Sequence, residues 1–173
     1  MNTSATTPTT PTGTPARPEG YRAQQAFAAQ PDAVFAALTS AEAISRWWAP
    51  CTGTGIADGT LRLMFGDTAV VIEVEAAEPA QHVRWSVAVA EPLPEWAGTH
   101  INFDLRAAAG GGTALDFCHE GLTEQFECYD MCTAGWRQYL PSLVGYVDCD
   151  GGTAFGSEND ERAAHFEESL SRG

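Results

Sequence analysis

A chain of 173 residues with 44% apolar side chains has room for one domain with a sizeable core, plus tails. Its formal net charge of -14 at pH 7 argues against nucleic-acid phosphates and anionic membrane surfaces as partners, because no basic patch offsets it. No run is long enough to span a bilayer, residues 1–30 lack a signal-peptide pattern, and five cysteines without framework spacing suit free thiols in a reducing compartment, so the expected location is the cytoplasm.

Residues 1–19 are mostly Thr, Pro, Ala and Gly with little to bury and read as a disordered tail. A short alternating segment at 21–27 predicts a first strand. Pro31 then opens a helix as an N1 proline, with Val34, Phe35 and Leu38 on one face up to Thr39. Ser40 caps a second short helix at 41–48 that carries Ile44, Trp47 and Trp48 and stops at Pro50.

From Thr60 the apolar period changes to two. Leu61, Leu63 and Phe65 alternate with polar or exposed positions, Gly66-Asp67 supplies a hairpin turn, and Val70, Ile72 and Val74 resume against Glu73 and Glu75. Three further runs follow, built on Val83, Trp85 and Val87, on Ile101, Phe103 and Leu105, and on Leu115, Phe117 and His119 after a glycine turn at 110–112. Each run has one wet face, which predicts an antiparallel sheet.

The stretch 123–147 reads as the principal helix. Cys128, Cys132, Gly135, Trp136, Tyr139, Leu140, Leu143, Tyr146 and Val147 form one stripe, with Glu127, Asp130, Arg137, Gln138 and Ser142 opposite. Thr123 is the predicted N-cap, and Pro141 lies on the polar side, where it would bend the helix and curve the apolar stripe around a concave partner. Residues 149–173 are glycine-rich and acidic, a tail with one candidate short helix at 159–170. The domain proper is therefore expected at 20–148.

This order, with three local patterns, resembles the START-like (SRPBCC) helix-grip superfamily, and more narrowly the bacterial single-domain AHSA-type proteins related to the activator of the heat-shock chaperone ATPase. The residues that carry the resemblance are PDAVFAALT from Pro31 and ISRWWAP from Ile44, then GTALDFCHEGL from Gly112 and GWRQYL from Gly135 with Leu143 and Tyr146. The resemblance implies an α+β fold in which a curved antiparallel sheet wraps a long C-terminal helix, with two short helices after the first strand. It also implies a cavity between helix and sheet, in a family whose members range from lipid carriers to polyketide cyclases to chaperone partners. Pro141 and the insertion at 91–96 depart from the family pattern, and the insertion stands where it would reshape the cavity mouth.

The residues expected to line such a pocket are Phe35, Trp48, Leu63, Ile72, Trp85, Phe103, Phe117, Met131, Trp136 and Tyr139, with Ile101 on the same inner faces and His119 as the polar contact. These rings either wall a site for an apolar molecule or simply fill the space. His119 could act as a general base, but no second acid or base shares its face, so a satisfied core histidine is the expectation. Cys128 and Cys132, four apart, lack the spacing of a zinc finger, and Glu73 and Glu75 share the wet face, so neither metal nor glycosidic chemistry is expected. No catalytic elbow, phosphate loop or dinucleotide fingerprint occurs, and no cofactor is expected. The reading is a binding protein for a small hydrophobic molecule, a lipid or an aromatic polyketide. The alternatives are a cyclase or aromatase using the same cavity, or a chaperone-associated interaction module, and a homodimer is left open.

Overall fold

The computed structural model describes residues 17–157. The chain runs β1 (Gly20–Phe27), α1 (Pro31–Thr39), α2 (Ala41–Trp47), β2 (Cys51–Gly53), β3 (Thr60–Phe65), β4 (Thr68–Glu78), β5 (His82–Ala90), a single 3-10 turn (Pro94–Trp96), β6 (His100–Ala107), β7 (Thr113–Glu120) and α3 (Tyr129–Cys149). The seven strands form one antiparallel sheet in the order β1-β7-β6-β5-β4-β3-β2. All but one neighbouring pair are consecutive in sequence; the exception places β1 beside β7, Gly20 opposite Glu120 and Phe27 opposite Thr113. This is the curved sheet, long C-terminal helix and early helix pair of the helix-grip fold.

The period-two runs become strands because each has one apolar side to bury. Leu61, Leu63, Ile72, Val74, Val83, Trp85, Ile101, Phe103, Leu115 and Phe117 are all buried, while Glu73 and Glu75 face water. Between β3 and β4 the turn sits at Gly66-Asp67, and the positive φ of Gly66 (64°) suits the tight hairpin type that matches strand twist. Two register shifts in the β4–β5 ladder, at 71/72 and 74/76, each insert a residue on one strand and increase local bending. A bent sheet leaves a hollow that only large side chains or a helix can fill at native density.

The helices enter that hollow in a way their sequences specify. Pro31 starts α1, and the Ser40 hydroxyl caps α2 by accepting the Ala43 N–H at 3.3 Å. Asp148, near the end of α3, accepts the N–H groups of Ala28 and Ala29 at 2.8 and 3.0 Å, which ties α3 to the β1–α1 connection. Helix α3 runs through Pro141, which is exposed, so the missing N–H falls on the solvent side as expected.

Four expectations are corrected. First, α3 begins at Tyr129 with Cys128 as its N-cap, and Thr123 instead closes a turn in which its carbonyl accepts the Phe126 N–H. The first turn has no side-chain cap of its own, and Glu95 supplies acceptors to the N–H groups of Glu127 and Cys128 from the far side of the sheet connection. Second, Ser142 is buried rather than on the polar face: its hydroxyl donates to the Trp47 carbonyl at 2.8 Å and accepts the Thr153 N–H at 2.7 Å. Third, a strand at Cys51–Gly53 pairs with β3, too short to show a period. Fourth, the chain stays docked after residue 149. Gly152 passes so close to the Arg46 carbonyl that a Cβ there would lie 2.3 Å from it, and Phe155 packs its ring on Phe65 at 5.1 Å. Residues 1–16 of the expected tail at 1–19, and the candidate helix at 159–170, lie outside the described residues.

Candidate functional site

The inner faces of β5, β6 and β7 aim Trp85, Phe103 and Phe117 at Trp48, the residue that ends α2, and at Trp136 of α3. The five rings make a closed circuit. Trp48 stacks on Trp85 at 5.8 Å, Trp85 meets Phe103 at 4.8 Å, Phe103 meets Phe117 at 5.3 Å, Phe117 meets Trp136 at 4.6 Å, and Trp136 returns to Trp48 at 5.0 Å. The tilted and edge-on approaches are those the ring quadrupoles favour. Trp47 stacks on Trp48 from outside the circuit at 5.7 Å, and Trp96 stacks on Trp136 at 6.1 Å.

Of the residues expected to line a pocket, Trp48, Leu63, Ile72, Trp85, Phe103, Phe117, His119, Trp136 and Tyr139 are buried, as is Ile101. Phe35 is half-buried against the same core, and Met131 is half-buried on α3. The structure thus gathers the aromatic set between helix and sheet, with its members in contact with one another.

His119 is fully buried, and its two ring nitrogens are engaged. Trp136 Nε1–H donates to Nδ1 at 3.0 Å, and Nε2 lies 2.9 Å from the Thr99 hydroxyl oxygen. An indole only donates, so Nδ1 is the acceptor and the proton sits on Nε2, where it donates to Thr99. The Thr99 hydroxyl in turn donates to the Trp96 carbonyl at 2.6 Å. Burial holds the imidazole neutral, with its pKa pushed down to about 3 and the His100 charge adding to the shift. A neutral ring with both nitrogens bonded orients its neighbours; neither nitrogen is free to take a proton from a substrate.

One buried donor in the circuit has no partner. Trp85 Nε1 is inaccessible to solvent and unbonded among the described residues, whereas the indole nitrogens of Trp47, Trp96 and Trp136 are all bonded. A buried N–H left open costs about 1–3 kcal/mol, so this position favours any molecule that brings an acceptor to it.

The insertion at 91–96 closes one end of the layer. Trp96 is buried, its ring sits edge-on to His119 at 4.7 Å, and its Nε1 donates to Cys132 Sγ at 3.1 Å. Sequence reasoning placed the insertion at the mouth but missed Trp96 and Thr99 as part of the site. The flanking Pro92 and Pro94 were the available signal for a rigid turn, and Thr99 carried none.

On the opposite face of the sheet Arg84 bridges Glu75, Asn102 and Glu120 at 2.7 to 2.8 Å, and holds the Glu120 carboxyl below the usual carboxylate range. His82 pairs with Asp104, and Arg106 with Asp116. The arginines offset part of the acidic charge on the wet face. Among the described residues no cluster of three or more His, Cys, Asp or Glu is arranged to hold a metal ion, and no helix is long and apolar enough to cross a membrane.

Residues 28–148 match the model of the family described as Activator of Hsp90 ATPase homolog 1-like protein. No curated protein matches in sequence. Among solved structures, the Aha1 dimer from Colwellia psychrerythraea is similar at a TM-score of 0.68 with 23% identity, over 78% of this chain and 99% of that one. CalU16 from Micromonospora echinospora is similar at 0.61 with 23% identity, over 87% and 85%. DynU16, a protein of the dynemicin biosynthetic locus, is similar at 0.61 with 22% identity, over 75% of this chain and 47% of that one. At these identities the likeness is one of fold.

Proposed function

Because this chain belongs to the Activator of Hsp90 ATPase homolog 1-like protein family, we propose that it uses the family's helix-and-sheet framework to bind a small apolar or aromatic molecule between α3 and the sheet. The walls are Trp48, Trp85, Phe103, Phe117, Trp136 and Tyr139, with Phe35, Leu63, Ile72 and Met131 at the margins. His119 sets the orientation of Trp136 rather than touching the ligand.

The observation that carries this reading is the unpartnered Trp85 N–H inside an otherwise apolar circuit. It selects a flat or flexible apolar molecule with one acceptor oxygen, the chemistry of a polyketide carbonyl or a lipid carboxyl or ester. The rings are in mutual contact, so the ligand enters by parting α3 and the Trp96 turn from the sheet. The neutral, doubly bonded His119 disfavours the cyclase alternative, which needs a proton acceptor at this place.

Calorimetric titration of the full chain with paired ligands, anthraquinone against anthracene and decanoic acid against decane, tests it. The expected result is saturable binding, tighter for the oxygen-bearing member of each pair, with Trp85→Phe reducing that preference about tenfold, the equivalent of one hydrogen bond. No saturable binding to any of the four would end the proposal.

A further inference from the structure

The first turn of α3 carries two cysteines that the binding site does not use. Cys128 is the N-cap residue and half-buried; Cys132 is one turn on, buried, with its N–H on the Cys128 carbonyl at 2.8 Å. Four positions apart, the two side chains start from the same side of the helix. Trp96 Nε1 donates to Cys132 Sγ, and the neighbouring Glu95 carboxylate accepts the N–H groups of Glu127 and Cys128. The same turn of helix therefore holds a thiol pair and anchors the Trp96 insertion.

We propose that Cys128 and Cys132 are an oxidisable pair, with Cys128 the nucleophile toward hydroperoxides and Cys132 the resolving thiol, and that their disulfide releases the Trp96 turn from α3. The arrangement has the order such chemistry needs, with Cys128 half-buried and Cys132 buried one turn behind it. The neighbouring Cys132 thiol lowers the Cys128 thiol below its ordinary value, against the opposing effects of burial and of Glu95. The N-terminal end of the helix dipole adds to the lowering. Elsewhere burial pushes Cys51 up to about 12 and raises Cys118, which leaves them inert.

The Cys128 thiolate attacks one oxygen of the hydroperoxide; the S–O bond forms as the O–O bond breaks, and the departing alkoxide takes a proton and leaves as the alcohol. Sulfur loses two electrons to become the sulfenic acid. The Cys132 thiol then gives up its proton and attacks Cys128 Sγ, the S–O bond breaks, and hydroxide leaves with that proton as water. Two thiols and one hydroperoxide become one disulfide, one alcohol and one water.

The conformational consequence follows from helix dimensions. Residues four apart on a regular helix have Cβ atoms about 6 Å apart, whereas a disulfide needs roughly 4 Å, so the bond closes only with the first turn unwound. Unwinding removes the N–H groups that Glu95 holds and moves the sulfur that Trp96 holds, so the turn at the end of the aromatic layer comes free.

The test uses the full chain treated with equimolar hydrogen peroxide, read by peptide mass spectrometry and tryptophan emission. The expected result is a loss of about 2 Da that fragment spectra place between Cys128 and Cys132, formed at least about tenfold faster than oxidation of the exposed Cys149, together with a red shift of emission that dithiothreitol reverses. Cys132→Ser should stop at a dimedone-reactive sulfenic acid on Cys128, and Cys128→Ser should stay reduced in that peptide. Trp96→Phe should form the bond without the shift. Reactivity of Cys128 no greater than that of Cys149 overturns the proposal, as does pairing of either thiol with a different cysteine. A bond formed with unchanged emission overturns the release of Trp96.

Discussion

The imidazole of His119 should make this fold acid-sensitive from about pH 6.5 downward. An unfolded histidine takes its proton near pH 6.5, whereas this one, buried and fully bonded, resists until about pH 3. The folded-state value is depressed, so the stability at stake is fully present above pH 6.5 and drains away as pH falls toward 3. The unfolded chain binds the extra proton throughout that interval, giving a slope of about 1.4 kcal/mol per pH unit and a total of about 5 kcal/mol. Between pH 7.5 and pH 5 the loss from this group alone comes to about 2 kcal/mol. Urea unfolding of the native chain and of His119→Gln at pH 7.5, 6, 5 and 4 measures it. The variant should be less stable at neutral pH, because it strands the Trp136 N–H or the Thr99 hydroxyl, yet its stability should fall less steeply with acid. Subtracting the two curves cancels the carboxylates that titrate in both proteins. Parallel curves across the whole range would show that the imidazole titrates normally and that the hydrogen-bonded chain through Trp136, Thr99 and Trp96 is not formed.

Ser142→Ala should lower stability by about 2 kcal/mol in the same assay, since it leaves the Trp47 carbonyl and the Thr153 N–H unpaired; a change within 0.5 kcal/mol would mean that the segment after α3 does not dock on α2. Trp48→Ala opens the aromatic circuit at the ring that touches both Trp85 and Trp136 and should cost about 3–5 kcal/mol by chemical denaturation. A cost below about 1 kcal/mol would show a loose, uncoupled layer. On the wet face, Arg84→Met should reduce stability by about 1 kcal/mol at low salt, discounted for solvent screening. It should also flatten the acid limb: the Glu120 contribution is present above its unfolded carboxylate pKa and lost as pH falls through its lowered folded value, and most of that loss goes with Arg84. An acid limb as steep as that of the native chain would remove Arg84 as the cause.

The elements that repeat were legible from residue spacing. Strands β3 to β7 announced themselves by alternation, and the parity that put Phe103, Phe117 and His119 inward is the parity observed. What escaped depends on partners far away in the chain. The start of α3 moved from 123 to Tyr129 because its acceptors come from Glu95, 32 and 33 positions earlier, and no local window contains that bond. Ser142 read as polar surface because a hydroxyl gives no hint that it will find Trp47 and Thr153 at once. The rings of the site could be collected by parity, but which ring would touch which, and that the buried Trp85 nitrogen would lack a partner, arises from how the strand rings meet Trp48 and Trp136.

The pairing of β1 with β7 sets a timetable for the polypeptide. Gly20 leaves the ribosome a hundred residues before the Glu120 it must meet, an interval of about 5–20 s at ordinary rates of synthesis. During that wait the nascent β1 has a bare ladder edge, while β3 to β6 can zip together from one hairpin to the next. The two outermost strands in time thus become neighbours in space. The last elements to be synthesised are β7 and α3, and with them come four of the residues of the central layer, Phe117, His119, Trp136 and Tyr139. A stalled or truncated chain that ends before Thr113 would expose Trp48, Trp85 and Phe103 with nothing to cover them, an obvious client for cellular chaperones.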